Sequence, residues 1–353
     1  MYGHAFGTFP SHRVIIIYHT KYSGNSKFLI PFINPSLHSK FPIKKAHSKF
    51  ISYLCTMKNE FKLMAAPMQG LTEPEWRRAH ARVCGPSTIE YFTPFIRIER
   101  GEVRARDMRD FTSPLNEGLS VTPQVIFRDA EEWKLLVDAL RREGATRIDM
   151  NMGCPFVPQV RRGRGAGFLA SPDQLAVIAR LMTQMPDVEF SVKMRLGIND
   201  PSEALALADT LNAMPLHHIT VHPRTASQQY RGQLHLEALA RLRQRLTHPL
   251  IFNGDITTPL QIDALAADGW HGVMAGRGLL TRPTLFREWL DSTELSDAIL
   301  SDAYLETLHQ TEIHYAQRLC GLRQLRDKMK PFWEYAPATL DKKLVKRHLK
   351  GLQ

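Results

Sequence analysis

The chain has 353 residues, of which 43% are hydrophobic and 23% are charged, and its formal net charge is +11. This composition is typical of a folded globular protein and excludes a disordered chain, a coiled coil and a collagen-like repeat. Four cysteines, none in C-x-x-C spacing, exclude a disulfide scaffold and argue against a zinc site, so we predict no metal and a reducing, cytoplasmic location.

Residues 1–56 differ from the remainder of the chain. They hold seven Lys or Arg and no Asp or Glu, which leaves +4 for the other residues. No apolar run of the chain approaches the ~18 residues of a membrane span, and Val14–Tyr18 is too short for a signal-peptide core, so we expect no membrane association. A targeting peptide, a basic RNA-binding arm and a stretch translated from too early a start are the alternatives. We favour the last, because Met57 directly precedes the first predicted strand.

From Met57 onward, short apolar runs alternate with stretches of helix-like apolar spacing. The eight predicted strands are Leu63–Met68, Thr88–Pro94, Pro123–Phe127, Arg147–Met152, Phe190–Met194, His218–His222, Leu250–Asn253 and Gly272–Ala275. The predicted helices between them include Ala130–Arg142, Pro172–Met185, Ser202–Ala213, Leu236–Leu246 and Pro259–Ala267. The highly charged stretch from Ile98 to Leu119 is the least periodic part.

These elements predict an α/β fold, a closed (β/α)8 TIM barrel over residues 57–290. Nearly all-apolar strands indicate burial on both faces, as in a parallel sheet covered by helices. Eight strand–helix units in ~230 residues fit a closed barrel better than an open sheet. An open doubly wound sheet is the alternative, but it would normally carry a G-x-G-x-x-G fingerprint after its first strand, where Gln69–Pro74 has one glycine.

Residues 291–353 are predicted to form a small C-terminal all-helical domain, because no strand pattern follows Leu290. Between Arg318 and Lys350 this tail holds ten Lys or Arg and three acids. Excess positive charge favours polyanions such as nucleic acid, although a solvated helical face is the ordinary explanation of such a charge pattern.

Polar and ionisable residues collect at the carboxyl ends of the predicted strands, which is the rim that carries function in barrels. Gly254 and Gly276–Gly278 follow the last two strands, at the usual phosphate corner, with turn glycines as the alternative. Lys193 and His222 suit the binding of an electron-rich ring that gains negative charge. The alternatives are that Lys193 forms a buried ion pair and that His222 is a core histidine. Cys154 precedes a glycine-rich loop and can act as nucleophile or proton donor, unless it is a small buried side chain.

Taken in chain order, these motifs resemble those of tRNA-dihydrouridine synthases. The resemblance is carried by Ala66-Pro67-Met68, Asn151-Met152-Gly153-Cys154-Pro155, Ser191–Gly197, Val221–Thr225, Asn253-Gly254-Asp255 and Gly276-Arg277-Gly278. Each motif alone is weak, whereas six in series between Met57 and about Leu290 are specific. Tyr230 and Phe92–Arg97 are most similar to the bacterial C-type branch, which implies uridine 16 of the D-loop as the target.

The resemblance implies an FMN-dependent enzyme that uses NADPH as reductant and tRNA as partner. We expect a monomer, which is compatible with a ligand of the size of a tRNA. Hydride from reduced FMN would reach C6 of uracil, and Cys154 would donate a proton to C5. The residues implied to hold FMN are Ala66, Pro67, Met68, Gln124, Lys193, His222, Asn253, Gly254, Asp255, Gly276 and Arg277. Those implied to contact the substrate are Asn151, Arg195 and Tyr230 at the uracil and Arg97 at the RNA.

Two positions depart from the family pattern. Pro94 stands where the family often has Glu, and Asp255 stands where relatives often have Glu. Two other functions compete with this reading. A flavin barrel that acts on a small pyrimidine, such as a dihydroorotate-type dehydrogenase, would need no basic helical tail. A non-catalytic RNA-binding barrel should lack flavin and have no use for Cys154.

Overall fold

The computed structural model describes residues 60–85 and 89–350, so the predictions for residues 1–56 lie outside the described residues. The strands are β1 Lys62–Ala65, β2 Ile89–Phe92, β3 Ile96–Glu99, β4 Glu102–Val103, β5 Ser120–Thr122, β6 Gln124–Ile126, β7 Arg147–Met152, β8 Glu189–Gly197, β9 Leu216–Thr225, β10 Leu250–Asn253 and β11 Gly272–Ala275. All eight predicted strands are present; the third, predicted at Pro123–Phe127, corresponds to β6, and β5 just before it lies outside the predicted bounds.

The strands close into a parallel barrel. β1 pairs with both β2 and β11, so that Ala65 is in register with Tyr91 on one side and Ala275 on the other. β5 and β6 are two segments of one barrel strand, because β2 pairs with β5 while β7 pairs with β6. The carbonyl of Pro123 between the two segments accepts a hydrogen bond from the Asp149 N–H at 2.9 Å. Since β7 to β11 then follow as neighbours in chain order, the predicted α/β barrel is confirmed.

Helices connect the strands. They are α1 Pro74–Cys84, α2 Ala105–Phe111, α3 Ala130–Arg142, α4 Val157–Val160, α5 Pro172–Met182, α6 Ala208–Ala213, α7 Leu236–Arg245, α8 Pro259–Ala267, α9 Arg277–Thr281 and α10 Leu285–Asp291. α3 and α8 have their predicted bounds. Each begins at a side-chain cap, in which Asp129 accepts from the Glu132 N–H at 2.8 Å and Thr258 forms a capping box with Gln261.

The weakly periodic stretch between β2 and β5 forms an insertion on the barrel. β3 and β4 make a short antiparallel hairpin, followed by α2 and a turn of 3-10 helix at Pro114–Asn116. The hairpin turns at Arg100 and Gly101, whose φ angles of 54° and 85° are both in the left-handed region. Gly adopts this conformation freely, whereas Arg adopts it at a cost of about 1 kcal/mol.

The end of the chain is helical, as predicted, with α11 Asp297–Arg318, α12 Leu322–Trp333 and α13 Lys342–Leu349. These helices and the barrel belong to one compact unit, which spans Ser52–Gln353. The predicted division of the chain near residue 290 stays a prediction. Within the described part of the chain, no helix combines the length and apolar character that crossing a membrane requires.

A partly buried group of polar and charged side chains joins α11 and α12 to the start of α1, and we call it the ion cluster: Glu73, Glu75, Tyr315, Arg318 and Lys328. The Glu73 carboxylate accepts from Lys328 at 2.8 Å, from Arg318 at 3.2 Å and from the Tyr315 hydroxyl at 3.2 Å. Arg318 also pairs with Glu75 at 2.6 Å. The cluster therefore fixes the C-terminal helices against the loop that follows β1.

Candidate active site

The carboxyl ends of the barrel strands surround a cavity of about 850 Å³, which we call the mouth cavity. Fifteen of the sixteen predicted site residues line it: Ala66, Pro67, Met68, Gln124, Asn151, Cys154, Lys193, Arg195, His222, Tyr230, Asn253, Gly254, Asp255, Gly276 and Arg277. Tyr335 and the segment 337–339, in the connection between α12 and α13, add a wall. Among the described lining residues there are four Lys or Arg and one carboxylate, so the cavity favours an anionic ligand.

Cys154 lies just beyond β7 on a loop that is held from both sides. Its backbone N–H donates to Asn151 Oδ1 at 2.8 Å, and its carbonyl accepts from the Ala166 N–H at 3.1 Å. Gly165, at φ 58°, lies so close that a Cβ there would be 2.7 Å from the Cys154 Cβ. Burial raises the pKa of the Cys154 thiol above its usual 9.0, so the thiol carries its proton at neutral pH.

A buried chain of hydrogen bonds lies beneath this loop. Asp149 accepts from Ser191 Oγ at 2.6 Å and from Gln124 Nε2 at 2.7 Å, and Gln124 Oε1 accepts from Asn151 Nδ2 at 2.7 Å. An ionised carboxylate can only accept, so Asp149 makes Gln124 present its amide nitrogen and leaves Asn151 Oδ1 free to accept from the loop. Burial raises the pKa of Asp149 to about 6, against a usual value of 3.8.

Lys193 and His222 lie on the neighbouring strands β8 and β9, and both line the mouth cavity. Lys193 Nζ donates to Asn253 Oδ1 at 2.8 Å, and among the described residues it has no carboxylate within ion-pair distance. Burial, together with the charge of Arg195, lowers the pKa of Lys193 to about 8. Burial and the nearby cations hold the pKa of His222 far below its usual value, so its ring is neutral. Because a guanidinium only donates, Arg224 at 3.1 Å makes Nε2 of His222 the acceptor and Nδ1 the protonated nitrogen.

Arg195 is held rigidly between two loops. Its guanidinium donates to the carbonyls of Gly153 at 2.9 Å, Thr225 at 2.8 Å and Gln229 at 2.6 Å. Its central carbon lies 5.3 Å from the ring centre of Tyr230, close enough for a cation–π contact. The Tyr230 side chain is 52% exposed, so the stacked pair faces the cavity entrance.

Asp255 is occupied by two arginines. It accepts from Arg224 at 2.5 Å and from Arg277 at 2.7 Å, and these contacts lower the pKa of its carboxyl, the hydrogen bond from Arg224 most. Asp255 therefore orients Arg224 against His222 and Arg277 at the rim. A Cβ at Gly276, which precedes Arg277, would press on the Met68 sulfur at 3.1 Å, closer than an ordinary contact.

Arg97 is the predicted site residue that lies elsewhere. It lines a separate cavity and pairs with Glu99 at 3.7 Å and Asp107 at 3.9 Å. Among the residues of the site that were not predicted, Asp149 and Arg224 hold predicted side chains in place and Tyr335 lines the cavity. A charged residue within an otherwise apolar strand was the available signal for Asp149, and Arg224 stood inside a quoted motif, whereas no local pattern pointed to Tyr335.

A closed parallel barrel whose mouth combines a buried lysine, a protonated thiol and a cationic rim defines an α/β-barrel enzyme. The family model described as Dihydrouridine synthase (Dus) matches residues 64–348. The chain is 31% identical over 242 residues to a tRNA-dihydrouridine(16) synthase of Neisseria meningitidis serogroup A, covering 65% of this chain and 72% of the relative. It is 28% identical over 260 residues to tRNA-dihydrouridine synthase B of Yersinia pestis, covering 70% and 80%.

The chain belongs to the dihydrouridine synthase family, as its motifs predicted. A solved structure of morphinone reductase is similar with a TM-score of 0.48 at 11% identity, covering 67% of this chain and 87% of that one. A likeness this distant adds nothing to the assignment.

Proposed function

We propose that this protein reduces a uridine of tRNA, at position 16 of the D-loop, to 5,6-dihydrouridine, with FMN as its cofactor and NADPH as the reductant. The observation that carries the proposal is the meeting of Lys193, His222 and Cys154 in one cavity. The name of the Neisseria meningitidis relative supports the target position. Because the chain has no dinucleotide fingerprint, NADPH and RNA would use the mouth cavity in turn.

The residues of the cavity fit a flavin. Lys193 is a buried cation whose partner is an amide, with no carboxylate partner in the described part of the chain, and this suits an electron-rich ring. Gly276 leaves the backbone near Met68 bare, and Arg277 beside it can bind a phosphate. We expect Ala66, Pro67, Gln124, Asn253, Gly254 and Asp255 to complete the site, Asp255 by orienting Arg277. When bound, FMN supplies the hydride that C6 of uracil accepts.

Cys154 holds the proton that C5 requires. Its raised pKa keeps the thiol neutral at pH 7, and the hydrogen bonds from its loop to Asn151 and Ala166 fix where the sulfur can lie. Asn151 and the Arg195–Tyr230 pair would contact the uracil. After proton donation, Arg195 and Lys193 would stabilise the thiolate until solvent restores its proton.

A uridine must leave its stack to enter the mouth cavity. Extrusion requires a few kcal/mol, less from an irregular loop than from a duplex, and phosphate contacts made elsewhere offset it. We assign these contacts to a helical tRNA-binding domain at residues 291–353, beside an FMN-binding barrel at 57–290, and to Arg97, with the protein acting as a cytoplasmic monomer.

The test is reduction of an unmodified tRNA transcript by the purified full chain. We expect protein that releases FMN and, with NADPH, forms dihydrouridine at position 16 by mass spectrometry. Cys154→Ala should keep FMN and tRNA binding but lose about 10²- to 10⁴-fold in rate, whereas Cys320→Ala, at an exposed cysteine, should match the wild type. Protein that takes up no flavin, or a fully active Cys154→Ala variant, would refute the proposal. Reduction of free orotate in preference to tRNA would favour the small-molecule alternative.

A further inference from the structure

A second cavity, of about 450 Å³, opens between the β3–β4 hairpin and the loop after Cys154, and we call it the basic groove. Its lining includes Arg97, Arg100, Arg128, Phe156, Arg162 and Arg164. The described lining residues hold five arginines and one carboxylate, that of Glu99. A concave surface with this charge attracts polyanions.

The five arginines are not equally available. Arg164 is buried and pairs with Glu132 at 2.5 Å, so it is part of the structure. Arg100 and Arg162 are exposed, and neither has an ion-pair partner among the described residues. Arg100 also occupies the first position of the hairpin turn at φ 54°, where Asn, Asp or Gly is favoured. Two unpaired cations therefore face solvent at the groove.

An exposed aromatic side chain lines the basic groove close along the chain to the mouth cavity. Phe156 is 59% exposed and lines the groove, while its neighbour Pro155 lines the mouth cavity. Cys154 is two residues away along the chain. An exposed aromatic ring beside arginines is how proteins bind unpaired nucleotides, because every base can stack on the ring while arginines hold the phosphates.

We propose that the basic groove binds the RNA strand that flanks the target uridine, with Phe156 stacking on an adjacent unpaired base and Arg100 and Arg162 binding its phosphates. This inference rests on the proposed function, because it takes the mouth cavity as the place of the extruded uridine. The groove would then hold the strand next to the gap that extrusion leaves.

The experiment measures binding of an unmodified tRNA transcript to the full chain across a range of salt concentrations. Phe156→Ala should weaken binding about 5- to 150-fold, the effect of losing one stacked base, and Phe156→Trp should restore it. Replacing Arg100 and Arg162 by glutamine together should lower the salt slope by about 1.4. The matched control replaces Arg142 and Arg180, exposed at the carboxyl ends of α3 and α5 and thus at the opposite end of the barrel. It should leave affinity and slope unchanged.

A second measurement avoids any dependence on variant folding. A transcript with 4-thiouridine next to position 16 should photo-crosslink to the wild-type loop at residues 155–164. Groove variants that bind tRNA like the control variant, together with no crosslink in this loop, would overturn the proposal for the basic groove. Uridine reduction by the wild type would still support the proposed function in that case. A wild-type dimer that Phe156→Ala dissociates, at unchanged RNA affinity, would also overturn it and make the groove a contact between copies. A wild type with neither flavin nor reduction would refute the proposed function instead.

Discussion

Glu73→Gln removes the carboxylate that Lys328 and Arg318 share across the ion cluster. Lys328 is 17% exposed and would keep the Gly70 carbonyl as an acceptor but lose its charge partner. Removing one partner of a buried pair costs about 3–5 kcal/mol. Arg318 is 47% exposed and keeps Glu75, so its share is below about 1 kcal/mol. We therefore expect the free energy of unfolding to fall by about 3 kcal/mol at pH 7.

The effect should depend on pH with a known sign. Burial raises the pKa of Glu73, but Lys328 and Arg318 outweigh it, so the folded-state pKa lies below the usual 4.5. A carboxyl with a lowered pKa stabilises the fold above that value and loses its contribution as the pH falls through the folded-state pKa. Wild type and Glu73→Gln should therefore differ fully at pH 7, and the difference should shrink as the pH falls below 4.5 toward the folded-state pKa.

Urea unfolding, followed by far-ultraviolet circular dichroism at pH 7 and pH 4, measures both quantities. The control is Glu189→Gln, an exposed glutamate at the start of β8 without an ion pair among the described residues. It should change stability by less than about 0.5 kcal/mol. If Glu73→Gln behaved like this control at pH 7, the ion cluster would not be what fixes the C-terminal helices.

Three further variants test the mouth cavity. Lys193→Met should lose flavin but change the melting temperature of the flavin-free protein by only a few degrees. Burying a lysine charge with a pKa of about 8 costs ~3 kcal/mol at most, and removing that cost offsets the lost hydrogen bond to Asn253. A large drop in the melting temperature on calorimetry would contradict this. Gly165→Ala should slow uridine reduction at least tenfold and destabilise by about 1–3 kcal/mol, because φ is 58° and its Cβ would press on Cys154; unchanged turnover would show that the loop yields. Asp149→Asn should change stability more favourably at pH 7.5 than at pH 4, by up to ~3 kcal/mol, because the charged form of Asp149 is penalised above its pKa of about 6, while at both pH values Asn offers no acceptor to Gln124 Nε2; equal effects at both pH values in urea unfolding would refute this.

Much of the barrel could be predicted because its strands are short apolar runs separated by turn residues and helices. The third strand was harder to delimit, since Pro123 has no N–H for the ladder and splits it into β5 and β6. The β3–β4 hairpin was missed, because Ile96 and Ile98 alternate with charged residues in a stretch too short and polar to show a period. The first residues of α3 and α8 could be predicted because side-chain caps mark where these helices begin.

The site residues on the barrel were predictable for a topological reason, since the carboxyl ends of parallel strands meet at one rim. Their hydrogen-bond partners were not. Alternation along a strand shows which face a residue occupies, but not that Asp149 sets which way the amides of Gln124 and Asn151 point. Tyr335 comes 60 residues after the end of β11 at Ala275, and only the packing of the C-terminal helices brings it to the cavity.

Tyr335 and the segment 337–339 line the mouth cavity although they belong to the tail. The part of the chain expected to bind the nucleic acid is thus also one wall of the cavity in which the base would be reduced. Replacing this tail by that of a relative would change the cavity wall as well as the RNA-binding surface. Changes in RNA preference and in the reaction rate are therefore expected to occur together in evolution.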